Sequence, residues 1–166
     1  MQYNIHKKSE GHMAVNVNVK IEKSFKVACS AKKAFDQLAD VADTVALFPK
    51  LDKIVDLGDA VWRWEMAKIG AAGISHQVKY AVKYTNDGKS KIDWNPVPGE
   101  GNATVAGGWV IKEDGPKACT ISFRSTGEFE MPVPRLMKGI AEGIVKSEFD
   151  AQVGTFLDRV KAKLES

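Results

Sequence analysis

Cysteine and histidine are scarce in this chain, and their scarcity excludes two kinds of stabilising site. Only two of the 166 residues are cysteine, Cys29 and Cys119, which is too few for a disulfide framework. Of the three histidines only His76 lies beyond residue 13, so a zinc site with its usual set of ligands is not expected. The two thiols are interpreted as reduced side chains of a cytoplasmic protein. The sequence therefore predicts neither a metal nor another cofactor.

Long apolar runs and clustered charge of one sign are also missing. No run approaches the ~20 apolar residues that a membrane-spanning helix needs, and the polar segment 1–13 lacks the features of a signal peptide. Lysine and arginine number 24 against 21 acidic residues, a net charge of +3. The lysines are scattered, whereas nucleic-acid binders concentrate basic residues on one face. We therefore expect no integral membrane association and no nucleic-acid partner.

What remains is the composition of a single globular domain. Hydrophobic residues make up 44% of the chain and charged residues 27%, and a chain of this length can bury a substantial core. Gly11-His12-Met13 resembles a cloning remnant, so residues 1–13 are treated as an N-terminal tail. Residues 14–165 are expected to form one domain.

The first elements are well marked. Apolar residues alternate with polar ones over Val15–Val27, which predicts a long strand with one buried face. Lys23 alone breaks the pattern, as at a bulge or near a strand end. Ser30 can cap a short helix over Ala31–Ala39. Either Asp40 or Asp43 can cap a second short helix, which ends before Pro49.

Turn residues divide the middle of the chain into further strands. Asn86-Asp87-Gly88 is a strong hairpin signal, because a tight turn needs backbone angles that these residues tolerate. Glycine- and proline-containing stretches separate the other runs. The predicted strands are Leu51–Leu57, Ala60–Ile69, Ile74–Thr85, Lys91–Asn95, Ala103–Lys112 and Ala118–Glu130.

The C-terminal segment predicts one long amphipathic helix over Arg135–Leu164. Its expected apolar stripe comprises Leu136, Ile140, Ile144, Phe149, Val153, Phe156, Val160 and Leu164. Beside the stripe runs a row of small residues, Gly139, Gly143, Ser147, Ala151 and Gly154. Glycine costs about 1 kcal/mol against alanine inside a helix, so the row needs a reason. Close approach of the helix to the sheet, room for a ligand and a helix kink all remain open.

The order of these elements resembles the START/Bet v 1-like helix-grip superfamily. Val19–Val27 followed by Ala31-x-x-Ala34-Phe35-x-x-Leu38 looks like its opening strand and helix. The segment Asp40–Leu51 resembles the elbow of the polyketide cyclase/dehydrase and lipid-transport branch. The resemblance implies an α+β fold, in which an antiparallel sheet of about seven strands curves around the long C-terminal helix. It also implies an apolar pocket between them. Members bind lipids, quinones, polyketides, sterols or hormones, and a minority are enzymes.

Strand parity predicts which side chains face the inside of the curved sheet. All four tryptophans share that face, a composition that suits a small-molecule pocket and suits a filled core equally well. We predict ligand contacts from these strands and from the beginning of the last helix. The predicted set is Trp62, Trp64, Met66, His76, Tyr80, Trp94, Trp109, Phe123, Met137, Ile140 and Gly143.

His76 lies four positions from Tyr80 on one predicted strand face. An imidazole and a phenol there could hydrogen-bond a ligand carbonyl, and the histidine could act as a general base near neutral pH. A histidine satisfied within the wall of the fold is the alternative. No pair of carboxylates has the spacing of acid–base catalysis, and no residue is assigned as catalytic.

Three functions compete. A carrier or sensor of a small hydrophobic molecule is favoured, because it needs only a pocket and a closing helix. An aromatase/cyclase or dehydratase-type enzyme would need polar groups inside the cavity, for which His76, Tyr80 and Tyr84 are the candidates. A regulatory protein-interaction module would combine a filled interior with an exposed apolar patch.

Two geometric predictions accompany the fold. The first and last strands should be neighbours, which brings Cys29 near Cys119. The pocket entrance should be formed by Leu47 and Phe48, the loops Gly70–Gly73 and Pro96–Gly101, and the segment Met131–Met137.

Overall fold

The structure is a computed structural model that describes residues 14–71 and 74–166, with only the backbone described at residues 69–71 and 74. Over these residues nine strands and three α-helices follow the predicted order, with a 3₁₀ turn at Arg135–Met137. The elements are β1 (Val15–Val27), α1 (Ala31–Ala39), α2 (Val41–Val45), β2 (Leu51–Gly58), β3 (Val61–Met66), β4 (Ile69–Ala71), β5 (Ile74–His76), β6 (Lys79–Asn86), β7 (Lys91–Val97), β8 (Ala103–Gly115), β9 (Ala118–Met131) and α3 (Lys138–Leu164).

Seven strands form one antiparallel sheet in the order β1-β9-β8-β7-β6-β3-β2. Together with two short helices after β1 and the long α3, this is the predicted helix-grip fold. Hydrophobic side chains from the sheet, from α1 and α2 and from α3 form one continuous core. The core therefore lies between one face of the sheet and the helices.

Strand β1 pairs with β9 without a register shift, from Val15 opposite Met131 to Val27 opposite Cys119. Lys23 therefore marks no bulge. It lies opposite the inward-facing Phe123, yet its amine is exposed and lies 3.7 Å from the carboxylate of Asp150 on α3. A long side chain can carry its charge out of a core-facing position in this way.

The same pairing brings the two cysteines together, as predicted. Cys29 follows β1 by two residues, and Cys119 lies opposite the last residue of β1. Both are buried free thiols. Burial, with a further contribution from the neighbouring Cys29, raises the pKa of Cys119 to about 11.

The helix caps follow the sequence. Ser30 accepts a hydrogen bond from the backbone N–H of Lys33 at 3.1 Å, and Asp40 accepts one from Asp43 at 3.1 Å. Of the two candidate caps for α2, Asp40 is therefore the one used. Both hydroxyl and carboxylate satisfy N–H groups that have no partner within the helix.

The strands predicted over Ala60–Ile69 and Ile74–Thr85 are each interrupted, because side-chain amides replace sheet hydrogen bonds between them. Gln77 donates to the carbonyl oxygen of Met66 at 2.8 Å. Asn102 accepts from the N–H of Lys79 at 2.9 Å and donates to the carbonyl oxygen of Gln77 at 2.8 Å. At this interruption β4 and β5 form a separate two-stranded sheet, so His76 and Tyr80 do not lie on one continuous strand.

The buried face of α3 differs from the predicted stripe in its first two turns. Leu136 is 99% exposed and Ile140 is 59% exposed, whereas Ala141 and Val145 are buried. From Val153 to Leu164 the predicted stripe is buried. The helix is continuous over Lys138–Leu164.

The row of small residues does not mark close approach of α3 to the sheet. A Cβ atom added at Gly139, Gly143 or Gly154 would meet nothing within 4 Å. Ser147 and Ala151 are exposed. The row faces away from the sheet, so neither close packing nor room for a ligand beneath the helix explains these glycines.

The C-terminal end of α3 is tied to the elbow of α1 and α2 by polar contacts. Lys33 donates to the carbonyl oxygen of Leu164 at 2.9 Å, and Lys163 donates to the carboxylate of Asp43 at 2.5 Å. Arg159 donates to the carbonyl oxygen of Leu47 at 3.2 Å. These contacts fix one end of the helix against the rest of the domain.

Within the described part of the chain, no helix combines the length and apolar character that crossing a membrane requires.

Candidate functional site

Two small cavities lie between the sheet, the elbow and α3, each with a volume of about 50 Å³. The inner cavity extends from the elbow to Trp109 and Phe123 on the central strands. The outer cavity is lined by Met66, Ala67 and Val78, where the chain leaves the sheet, and by Glu148 and Gln152 of α3. Three residues, Phe48, Tyr80 and Phe149, line both cavities. They form the partition between the two spaces.

The structure brings six of the eleven predicted ligand-contacting residues to these cavities. Trp64, Tyr80, Trp94, Trp109 and Phe123 line the inner cavity, and Met66 lines the outer one together with Tyr80. The other five, Trp62, His76, Met137, Ile140 and Gly143, line neither cavity. Contact between those five and a ligand stays a prediction that this geometry does not support.

Aromatic rings form a continuous wall around the inner cavity. Trp64 stacks on Tyr80 with a centroid separation of 5.6 Å and meets Phe48 edge-on at 5.4 Å. Phe156 of α3 contacts the rings of Phe48 and Trp109 at 5.1 Å and 5.8 Å. Edge-to-face and tilted pairs of this kind stabilise a core beyond the area they bury.

Part of the cavity wall comes from helices α1 and α2 and is not among the predicted ligand contacts. Leu38, Val41, Thr44 and Val45 line the inner cavity there. The Thr44 hydroxyl donates to the carbonyl oxygen of Gln37 at 2.6 Å. These positions depend on how the two short helices fold back, which periodicity within either helix does not encode.

The polar groups of the inner cavity carry no formal charge. Burial raises the pKa of Tyr80, as does the neighbouring Tyr84, and burial likewise raises the pKa of Tyr84. Both phenols therefore stay protonated at neutral pH. Ser125 adds one buried hydroxyl.

Trp64 holds a buried donor without a partner. Its side chain is 7% exposed, and its indole N–H donates to no described residue. The indole lies near the Tyr84 hydroxyl and opposes the rise in the pKa of Tyr84 that burial causes. The two groups nevertheless do not meet hydrogen-bond geometry. Because buried donors are almost always paired in folded proteins, this N–H is unusual among the buried side-chain nitrogen and oxygen atoms of the described residues.

His76 lies on the separate β4–β5 hairpin. It is half-buried, and its Nε2 is 3.5 Å from the side-chain nitrogen of Asn102. Burial lowers the pKa of His76, while the nearby Glu130 opposes that change. Strand parity predicts this imidazole on the Tyr80 face, whereas His76 belongs to the β4–β5 sheet and Tyr80 to the seven-stranded sheet.

The residues predicted to form the entrance lie in different surroundings, and the entrance stays a prediction. Phe48 lines both cavities, whereas Met131 and Val133 are buried in the core. The Pro96–Gly101 loop lines neither cavity. Residues 72 and 73 of the predicted Gly70–Gly73 loop lie outside the described residues.

Among the residues that the structure describes, no three histidine, cysteine or acidic side chains are grouped as ligands for a metal ion.

The sequence of the chain matches one family model over residues 18–165, described as polyketide cyclase/dehydrase and lipid transport. No curated protein has a sequence that matches this chain.

Solved structures of the same fold are numerous but distant in sequence. The ZhuI aromatase/cyclase from Streptomyces sp. R1128 is 15% identical, with a TM-score of 0.62 over 89% of this chain and 94% of that one. A START superfamily protein from Mycobacterium smegmatis is 17% identical, with a TM-score of 0.61 over 88% and 97%. Human STARD10 is 15% identical, with a TM-score of 0.57 over 85% and 62%. At such identities the likeness establishes the fold.

Proposed function

Because the chain belongs to the polyketide cyclase/dehydrase and lipid transport family, we propose that it binds a small hydrophobic ligand, of lipid, quinone or polyketide-like kind, between the sheet and α3. The observation that carries the proposal is the inner cavity, whose wall is aromatic and aliphatic and whose few polar groups are uncharged. Apolar walls with a few placed polar groups are typical of small-molecule sites.

The cavities must enlarge to admit such a ligand. Each holds about 50 Å³, whereas sites for drug-sized ligands have roughly 300–1,000 Å³. Phe48, Tyr80 and Phe149 separate the two cavities, so displacing these rings would join them into one longer space. Phe149 is only half-buried. Of the three rings it is therefore the one whose displacement costs the least free energy of burial.

Turnover has less support than binding. The enzyme hypothesis requires polar groups at a cavity, with His76, Tyr80 and Tyr84 as its candidates. Tyr80 and Tyr84 line the inner cavity, whereas His76, the candidate general base, lines neither cavity. The ionisable side chain of the outer cavity, Glu148, is held by Lys50 at 2.9 Å and by Gln152 at 3.2 Å.

The test compares two substitutions that add the same volume to the buried face of α3. Val153 and Val160 are both fully buried, but only Val153 lines the inner cavity. We expect Val153→Phe to fill that cavity and Val160→Phe to leave it open, at a similar cost in stability of about 1–3 kcal/mol. The protein and both variants are purified from the native host and examined by native mass spectrometry with solvent extraction.

The expected result is an organic molecule bound to the parent protein and to Val160→Phe, with strongly reduced occupancy in Val153→Phe. Equal occupancy in all three proteins would place the ligand elsewhere. An unoccupied parent protein that also fails to bind added apolar probes would refute the proposal.

One observation favours a second candidate, a protein-interaction module. Leu136 and Ile140 lie one helical turn apart and are 99% and 59% exposed, an unusual position for large apolar side chains near the beginning of a helix. This hypothesis predicts a cross-linked partner in host cells that is lost in Leu136→Glu while ligand occupancy is unchanged. A cross-link that persists in Leu136→Glu would argue against the interaction hypothesis.

A further inference from the structure

The buried indole N–H of Trp64 limits what kind of molecule the inner cavity can hold. Trp64 is 7% exposed, and its N–H meets hydrogen-bond geometry with no described residue, the nearby Tyr84 hydroxyl included. A buried donor left unpaired carries a large desolvation cost. A ligand that supplies an acceptor removes that cost, whereas a pure hydrocarbon of the same shape leaves it in place.

The neighbouring groups restrict the charge of that acceptor. Among the described residues that line the inner cavity there is no lysine, arginine or histidine, so a buried carboxylate or phosphate would have no counter-ion from them. Burial raises the pKa values of Tyr80 and Tyr84, which keeps both phenols neutral. The site therefore offers uncharged donors and suits an uncharged oxygen acceptor.

We infer that Trp64 is a specificity-determining residue, whose indole N–H donates a hydrogen bond to a neutral carbonyl-type oxygen of an otherwise apolar, ring-containing ligand. The aromatic wall explains the preference for rings, since Trp64 is itself stacked on Tyr80 and edge-on to Phe48. This inference rests on the proposed function, because it concerns the same cavity.

The test uses two small probes of nearly the same shape, 1-indanone and indane, which differ by a carbonyl in place of a methylene group. Dissociation constants are measured by ligand-observed NMR titration for the parent protein, Trp64→Phe and Trp62→Phe. Trp62 provides the matched control, because it lies on the same strand but lines neither cavity. The ratio of the two dissociation constants is compared between the three proteins. The difference in hydration of the two probes contributes equally to each ratio and therefore cancels in that comparison.

We expect Trp64→Phe to reduce the preference for 1-indanone over indane by about tenfold, within the range for a buried donor that loses its acceptor. Trp62→Phe should leave the ratio unchanged. In the parent protein the indole ¹H–¹⁵N signal of Trp64 should move downfield with 1-indanone and not with indane. This second measurement needs no Trp64 variant, and the Trp62→Phe spectrum helps to assign the signals.

Failure of the inference and failure of the proposed function give different results. Saturable binding of both probes with the same ratio in the parent protein and Trp64→Phe, and an unmoved Trp64 signal, would overturn the role of Trp64 while the cavity remains a binding site. Absence of saturable binding by either probe would overturn the proposed function, and the role of Trp64 with it.

Discussion

Replacement of Phe156 by alanine tests how α3 is seated on the sheet. The Phe156 side chain is 4% exposed and contacts the rings of Phe48, Trp109 and Phe123 at centroid distances of 5.1, 5.8 and 6.4 Å. Truncating a buried phenylalanine removes about 3–5 kcal/mol of stability, because the remaining cavity collapses only in part. For a domain of this size each kcal/mol lowers the midpoint temperature by about 2–4 °C, so a decrease of about 6–20 °C is expected.

Leu136→Ala is the control on the same segment of chain. Leu136 is 99% exposed, so its truncation should change stability by no more than about 0.5 kcal/mol. Urea unfolding followed by far-UV circular dichroism gives both values, provided that the dependence on urea concentration keeps the same slope. A loss below about 1 kcal/mol for Phe156→Ala, or a larger loss for Leu136→Ala, would show that the described face of α3 is incorrect.

Further predictions concern two glycines and a buried thiol. A Cβ atom at Gly107 would clash with the carbonyl oxygen of Arg124 and lie 2.6 Å from the Trp94 ring, so Gly107→Ala should cost about 1–3 kcal/mol by overpacking. A Cβ atom at Gly143 would meet nothing within 4 Å, so Gly143→Ala should gain up to about 1 kcal/mol; thermal unfolding of both variants checks the opposite signs. Because the pKa of Cys119 is raised to about 11, its thiol should stay protonated and resist iodoacetamide at pH 8 until denaturant is added. Rapid labelling of the folded protein, detected by mass spectrometry, would contradict the described burial.

The sequence was most informative where local pattern and tertiary contact agree. The predicted bounds of β1 and α1 coincide with the structure, because the alternation of Val15–Val27 and the Ser30 cap are each sufficient signals. Strand parity also placed Trp64, Tyr80, Trp94, Trp109 and Phe123 on the inner face, and all five line the inner cavity.

The error in α3 can be traced to one step in the spacing. Leu136, Ile140 and Ile144 follow each other at four residues, but Phe149 comes five residues after Ile144. A step of five residues rotates the side-chain direction by about 140° around the helix axis, so Phe149 points about 140° away from Ile144. The first three residues therefore belong to another face, and only the contacts of α3 with the sheet decide which face is buried.

Other features depend on contacts that are distant in the sequence. The interruption of the sheet near His76 requires the side chain of Asn102, which lies 25 residues from Gln77. The partition between the cavities combines Phe48 of the elbow, Tyr80 of β6 and Phe149 of α3. Local sequence patterns do not predict such contacts between distant residues.

Polar contacts hold the two ends of α3 unequally, and this difference bears on how a ligand would enter. Lys33, Arg159 and Lys163 hold the last two turns, while the first turns present exposed Leu136 and Ile140 to solvent. Thermal opening should therefore begin at the amino-terminal half and pivot about the carboxy-terminal half. Within α3, amide hydrogen exchange should then be fastest over residues 138–147 and slowest near residues 156–164. Access to the interior would depend on opening of the amino-terminal half of α3.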